Sequence, residues 1–303
     1  MCLRRSALRV PFFPYFLATV VFFAGLFPAS CSPAGPLRFG LVTDTHYADI
    51  EPRGTRPYRE SAAKLRDAVA RLNGERLDFL LELGDFKDMS EPPVEAQTLE
   101  YLRTIESVFA GFNGPRYHVL GNHDEDSISK TQFLEIVENT GIPKDRSYYA
   151  FEKKGVRIIV LDACFSADGT PYERGRFEWA DCNIPAAEIG WLERELSVSS
   201  APAIVCIHQQ LDGEGEYFVK NAADVRRVLE ASGKVLAVFQ GHRHEGMFTR
   251  INGLPYYTLK GMIEGRGPDQ TSFAVVEVEP NREIRITGFH KAESMVLPPG
   301  QGK

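Results

Sequence analysis

The chain has 303 residues, 43% of them hydrophobic and 25% charged, with a formal net charge of −6. This is ordinary globular composition, long enough for one large α/β domain with a substantial core, and it contains no low-complexity tract or internal repeat. An acidic chain of this size is a poor candidate for sequence-independent binding to DNA or RNA, so no nucleic-acid polymer is expected as a partner.

The N-terminus differs from the rest. Arg4, Arg5 and Arg9 precede an apolar run from about Phe12 to Phe27, followed by Pro28, Ala29, Ser30 and Cys31. A basic start, a short apolar core and small residues before a cysteine predict a secretory signal or a lipoprotein leader over residues 1–31. The run is short for a membrane span, and Pro11 and Pro14 stand at its start. The expectation is export to a periplasmic, secreted or lipid-anchored location, with membrane contact only through the leader or a lipid on Cys31. Loss of the three leader arginines takes the net charge from −6 to −9. Cys164, Cys182 and Cys206 then remain, an odd number without a CxxC pair, which indicates neither a zinc knot nor a disulfide framework.

Residues 32–36 read as a short linker, 37–291 as the domain and 292–303 as a flexible tail. Within the domain, Leu37–Thr43 reads as a strand and Arg59–Asn73 as a helix with Leu65, Ala68, Val69 and Leu72 on one face. Then come a strand at Leu77–Leu83, a helix at Val94–Phe109, a strand at Tyr117–Leu120 and a helix at Ser129–Thr140 that stops at Gly141. Ser147–Glu152 and Val156–Leu161 predict a hairpin across Lys153-Lys154-Gly155. A helix at Ala187–Leu196, a strand at Ala203–Ile207, a helix at Asn221–Ala231 and a strand at Val235–Phe239 follow. The end is all strand: Met247–Ile251, a turn at Asn252-Gly253, Pro255–Leu259, Thr271–Glu279 and Glu283–Phe289. βαβ units followed by an antiparallel meander predict an α/β fold, a two-sheet β-sandwich flanked by helices.

The chemistry is carried by the residues that end the strands. The first strand runs into Asp44-Thr45-His46, the second into Gly84-Asp85 and the third into Gly121-Asn122-His123-Asp124. A later strand ends in His208, another in Gly241-His242-Arg243-His244. Ligands collect at the carboxyl ends of strands in α/β folds, so five separated segments are expected to converge. Five of the seven histidines lie in them. Carboxylate, amide oxygen and imidazole suit Mn, Fe or Zn. Two divalent cations roughly 3.5–4 Å apart can clamp the attacking and leaving oxygens of a displacement at phosphorus. One carboxylate must bridge such a pair to offset its repulsion, and Asp85 is the candidate. Gly84, Gly121 and Gly241 are expected to let the backbone turn sharply before each donor. Taken singly, each segment has a plainer explanation: Gly-Asp is a common turn pair, and His208 alone would pass for a core histidine. Their joint occurrence, each after a strand, is what excludes it. His118 and His290 fit no motif and are assigned to structure.

Asp44-x-His46, Gly84-Asp85-x-x-Asp88, Gly121-Asn122-His123-Asp124, His208 and Gly241-His242-x-His244 together resemble the five-block signature of the calcineurin-like metallophosphoesterases. The resemblance implies that fold over nearly the whole exported chain. It implies attack on phosphorus by a hydroxide bridging two divalent metals, manganese favoured. Metal one would take Asp44, His46, Asp85 and His244; metal two would take Asp85, Asn122, His208 and His242. His123 would be an acid near the leaving group, oriented by Asp124. Met89-Ser90 stands where protein Ser/Thr phosphatases carry Arg-Gly, and Asp88 where purple acid phosphatases carry a Tyr ligand, which disfavours both branches.

The stretches 39–49, 58–61, 148–151 and 258–265 resemble the manganese-dependent ADP-ribose/CDP-alcohol diphosphatase branch, which usually has Gln where this chain has His46. The implied substrate is a small phosphodiester, nucleoside-diphosphate derivative or phosphomonoester. A class III cyclic-nucleotide phosphodiesterase and, from another class, a non-catalytic scaffold on the same fold are the alternatives. Asp162 to Phe165, Asn183 and Lys260 to Gly265 are further pocket candidates. The sequence assigns no role to Gln209 or Lys260 and does not determine the oligomeric state.

Overall fold

A computed structural model describes residues 35–299; the expected leader and the last four residues lie outside them. Among the described residues, strands β1 (Leu37–Val42), β2 (Phe79–Glu82) and β3 (Arg116–His118) alternate with helices α1 (Ser61–Asn73) and α2 (Glu95–Phe109). Helix α3 (Lys130–Ile136) leads to the hairpin β4 (Tyr149–Lys153) and β5 (Val156–Val160). Then α4 (Ala186–Val198), β6 (Ala203–Cys206), α5 (Ala222–Ser232) and β7 (Val235–Gln240) follow. Five strands finish the chain: β8 (Met247–Ile251), β9 (Leu254–Thr258), β10 (Ser272–Val278), β11 (Ile284–His290) and β12 (Met295–Leu297).

They form two six-stranded sheets, ordered β12-β11-β10-β1-β2-β3 and β4-β5-β6-β7-β9-β8. The period-two alternation of side chains explains why the sheets face each other. Phe39 and Leu41 of β1, Phe79 and Leu81 of β2, Ile158 and Val160 of β5, Ile204 and Cys206 of β6 and Ala237 and Phe239 of β7 share one apolar cluster. The intervening Val42, Leu80, Ile159, Val205 and Val238 belong to another, together with Leu65, Leu102, Leu192, Val225 and Leu229 of the helices. The α/β sandwich expected from the sequence is therefore the fold.

Three expectations change. The terminal strands do not make one meander: β8 and β9 extend the second sheet, with β9 parallel to β7, whereas β10 to β12 extend the first, with β10 antiparallel to β1. The domain does not end at 291, because β12 pairs with β11 and Leu297 is buried, so the expected flexible tail contributes a strand. Helix α3 stops at Ile136, well before Gly141, because the next residues serve other elements. Glu138 donates its N–H to Glu106 Oε1 at 3.2 Å, and Asn139 Oδ1 accepts from His118 N at 2.7 Å. Ser129 does cap α3, its hydroxyl accepting from Gln132 N at 3.1 Å.

Strands β1, β2 and β3 run parallel, as do β5, β6, β7 and β9. Parallel pairing puts their carboxyl ends along one edge of the sandwich, which is where the strand-end motifs emerge.

Candidate metal centre

Several strand-end residues leave ordinary backbone geometry as soon as pairing stops. Asp44 (φ 50°), His46 (φ 47°), Asp85 (φ 58°) and His242 (φ 68°) all occupy the left-handed region, which costs L-residues about 1–3 kcal/mol each. The surrounding hydrogen bonds hold them there: Asp44 N donates to Gly84 O at 3.0 Å and His46 N to Asp85 O at 2.9 Å. Gly84 supplies the turn expected of it, with φ 100°. Gly241 works by clearance, since a side chain there would press on the Thr43 hydroxyl.

Each anchored donor has one polar atom bound to protein and one left over. Asp44 Oδ2 accepts from Thr43 Oγ1 at 2.7 Å and His242 N at 3.2 Å, while Oδ1 is buried without a hydrogen-bond partner. Asp85 Oδ1 accepts from His123 N at 2.8 Å; its Oδ2 lies 3.5 Å from His46 Nε2 and 3.2 Å from His208 Nε2. The imidazoles follow the same rule. His208 Nδ1 meets Leu83 O at 2.8 Å, His244 Nδ1 meets Glu264 Oε1 at 2.6 Å and His46 Nδ1 lies 3.3 Å from Asp88 Oδ2. The Nε2 atoms of these three rings are thereby turned inward, the arrangement in which a carbonyl or carboxylate fixes the tautomer of a metal-ligating histidine. His208 Nε2, His242 Nε2 and Asn122 Oδ1 are buried with no hydrogen-bond partner.

Asp44, His46 and His244 offer ligand atoms within 4.8 Å of one another, and so do Asp85, His208 and His242. Asp85 Oδ2 stands between His46 of one group and His208 of the other. Burial opposes charge on Asp85, yet the imidazoles of His208, His123 and His46 hold its carboxyl well below the usual range. Burial likewise opposes the charged form of His208, but Asp85 and Asp44 raise it to about 10. His242, buried and facing His208, is pushed down to about 3 and keeps its lone pair. The carboxylates demand positive charge at the centre, and divalent cations fit both that demand and the unpartnered donor set.

His123 sits at the rim, with its side chain about one-third exposed (32%). Asp124 does not orient it. The Asp124 carboxylate accepts from Gly121 N at 2.8 Å, Phe86 N at 3.0 Å and Asp85 N at 3.1 Å, tying the second strand-end turn to the third. The groups facing His123 Nδ1 are Asp88 Oδ1 at 3.3 Å and Asp126 Oδ2 at 3.9 Å. Burial disfavours the imidazolium, but Asp88, Asp85 and Asp126 raise it to about 10. Neighbours in a tight 3₁₀ turn point in different directions, which is why adjacency in sequence misassigned the pair.

Of the other pocket candidates, Glu264 reaches the centre through His244. Its loop is moulded by buried Lys64, whose Nζ donates to Met262 O and Ile263 O at 3.1 Å each. The rest serve the scaffold. Asp162 pairs with Lys130 at 2.5 Å, Asn183 Nδ2 donates to Ile184 O at 3.4 Å and Lys260 pairs with Glu293 at 2.8 Å. Buried Gln209 donates to Cys164 Sγ at 3.5 Å. Asp126 and the buried Lys87 that pairs with it carried no motif signal.

Residues 37–246 match the family model for calcineurin-like phosphoesterase. The chain is 27% identical to the manganese-dependent ADP-ribose/CDP-alcohol diphosphatase of Oryza sativa subsp. japonica, over 84% of this chain and 92% of that one. It is 26% identical to a probable cyclic nucleotide phosphodiesterase of Rhodopseudomonas palustris, over 82% and 90%. A dimetal phosphatase from Danio rerio superposes with a TM-score of 0.76 at 23% identity, covering 88% of this chain and all of that one, and shows the same fold.

Proposed function

Because the chain belongs to the calcineurin-like phosphoesterase family, we propose that it is a two-cation hydrolase that cleaves the diphosphate linkage of small nucleoside-diphosphate derivatives. The observation that carries this reading is the set of buried, unpartnered donors Asp44 Oδ1, Asn122 Oδ1, His208 Nε2 and His242 Nε2, delivered to one edge by four strand ends. Asp44, His46, Asp85 and His244 would hold one cation, and Asp85, Asn122, His208 and His242 the other. The rice relative supports both the substrate class and manganese. Divalent cations held by these residues would supply Lewis acidity toward phosphoryl oxygens and water.

The chain's own residues do the rest. Leu83 O, Glu264 and Asp88 fix the ring orientations of His208, His244 and His46, so the donor set does not reorganise when substrate arrives. Asp124 locks Asp85 into its turn through three backbone N–H groups. His123, with Asp88 and Asp126 against Nδ1, keeps a proton on Nε2 for the departing oxygen. Export through the N-terminal leader is part of the proposal, so the substrate is met outside the cytoplasm. An intact mass beginning at Met1 in the native host would remove that part and leave the chemistry standing.

The test is a hydrolysis panel with Mn²⁺ comparing ADP-ribose, CDP-choline, cyclic AMP, bis(p-nitrophenyl) phosphate and p-nitrophenyl phosphate. ADP-ribose or CDP-choline should show the highest kcat/KM, and chelation should abolish turnover. Cyclic AMP at the top would replace this reading with the second one, which the Rhodopseudomonas relative favours.

A further inference from the structure

Two large aromatic side chains stand exposed beside the centre. Trp179 (37% exposed) and Tyr217 (38%) have ring centroids 5.6 Å apart, and each lies close to the His242 imidazole, at 5.8 and 5.6 Å. They come from the loops that leave the carboxyl ends of β5 and β6, two adjacent parallel strands. Both loops are anchored. Beneath Trp179, fully buried Tyr172 stacks on Phe177 at 4.4 Å and donates its hydroxyl to Glu178 O at 3.2 Å; Asp181 N then donates to Glu178 O at 2.9 Å. Around Tyr217, Gln210 N donates to Tyr217 O at 3.3 Å and Val219 N to Gln210 O at 2.9 Å. The loops thus leave two anchored aromatic rings partly exposed side by side at the edge of the centre, an apolar surface suited to a ligand.

The rings meet at 56°, an open V rather than a parallel pair. One flat group can stack on one face while the other ring meets its edge, the two favourable aromatic geometries. The Arg243 guanidinium lies over the Tyr217 ring, 5.8 Å from its centroid. A cation there repels a quaternary ammonium but leaves a neutral heteroaromatic ring welcome. We propose that Trp179 and Tyr217 form the platform that stacks the nucleobase of the substrate, placing its phosphates one ribose away, at the His242 side of the centre. This rests on the nucleoside-diphosphate reading and adds the residues that select for the base.

The chain has two tryptophans, and Trp191 packs on Tyr148 at 5.0 Å, on helix α4. In a Trp191→Phe protein kept in chelator, fluorescence reports Trp179 alone. AMP should quench it saturably, and ribose 5-phosphate, which lacks the base, should not. With Mn²⁺ present, Trp179→Ala and Tyr217→Ala should each raise the KM for ADP-ribose about tenfold while kcat changes little, within the range of lost base stacking. The preference for ADP-ribose over base-free dimethyl diphosphate should fall by the same factor, and Trp179→Phe should restore most of it.

No quenching by AMP, or equal quenching by ribose 5-phosphate, overturns the platform. So does wild-type KM in both alanine variants with ADP-ribose hydrolysed normally, a result that leaves the proposed function intact. AMP quenching in a protein that does not hydrolyse ADP-ribose would do the reverse.

Discussion

His118, at the end of β3, and His208, just after β6, are both buried among carboxylates, yet the two rings are held differently. His118 has an acid on each nitrogen, Glu82 Oε2 at 3.5 Å from Nδ1 and Glu106 Oε2 at 3.1 Å from Nε2, and Phe86, Phe109 and Phe133 pack around it. Burial works against its charged form, but Glu106 and Glu82 raise it to about 9. That cluster is closed, its charge balanced by its own members. His208 gives one nitrogen to the Leu83 carbonyl and turns the other to Asp85 within a group, Asp85, His208 and His242, that could hold a metal, whereas His118 belongs to no such group among the described residues. A buried histidine beside acids is therefore not evidence of a metal site; an inward lone pair with its tautomer fixed from behind is. On that difference the proposal places His208 in the centre and His118 in the scaffold.

The largest effect should come from the residue that joins the two donor groups. Asp85→Ala removes the carboxylate oxygen lying between His46 and His208, so two cations would face each other without a shared anion. Elemental analysis should show both ions lost and turnover at the level of a no-enzyme blank. A variant that kept two ions would move the bridge elsewhere.

Next in size is His123, which the proposal places beside the metal ligands and not among them. His123→Ala should lower kcat by roughly 10²–10⁴-fold, the range for a lost general acid, with metal content unchanged. A nitrophenyl ester should suffer less than a substrate with a poor alkoxide leaving group, since it barely needs protonation. Asp88→Asn should reproduce part of that selective loss, because Asp88 is the acid 3.3 Å from His123 Nδ1. Asp124→Asn should slow both substrates equally, by disturbing the turn that carries Asp85. Loss of a metal from His123→Ala would make it a ligand.

The smallest effect on activity should come from the closed cluster. His118→Gln leaves Glu82 and Glu106 buried without their cation, a change worth about 3 kcal/mol for a broken buried pair. Urea denaturation should register it, whereas metal stoichiometry and kcat should stay near wild type. Loss of a metal ion with unchanged stability would erase the distinction between the two clusters.

Much of the centre was legible in the chain because it is built from local signals. A strand that stops, a glycine and then an Asp, Asn or His needs only neighbouring residues to be recognised, and the structure brings all five such segments to one edge. Asp124 was misread for the same reason, since adjacency to His123 suggested contact. Asp88, which does face His123, lies on a different loop, and no sequence spacing encodes that meeting. Glu264 was visible only as part of a stretch, because what singles it out is the 2.6 Å contact with His244.

The sequence alone determined the two-sheet architecture and which Asp, Asn and His residues end its strands, because side-chain period and turn chemistry are properties of short segments. Only the tertiary structure decided which sheet each terminal strand joined, how each imidazole was turned and which loops met above His242. Those outcomes depend on which edge is open and which atoms come within hydrogen-bonding range, and residues as distant as His46 and His244, 3.2 Å apart between Nε2 atoms, acquire that relation only once the chain has closed.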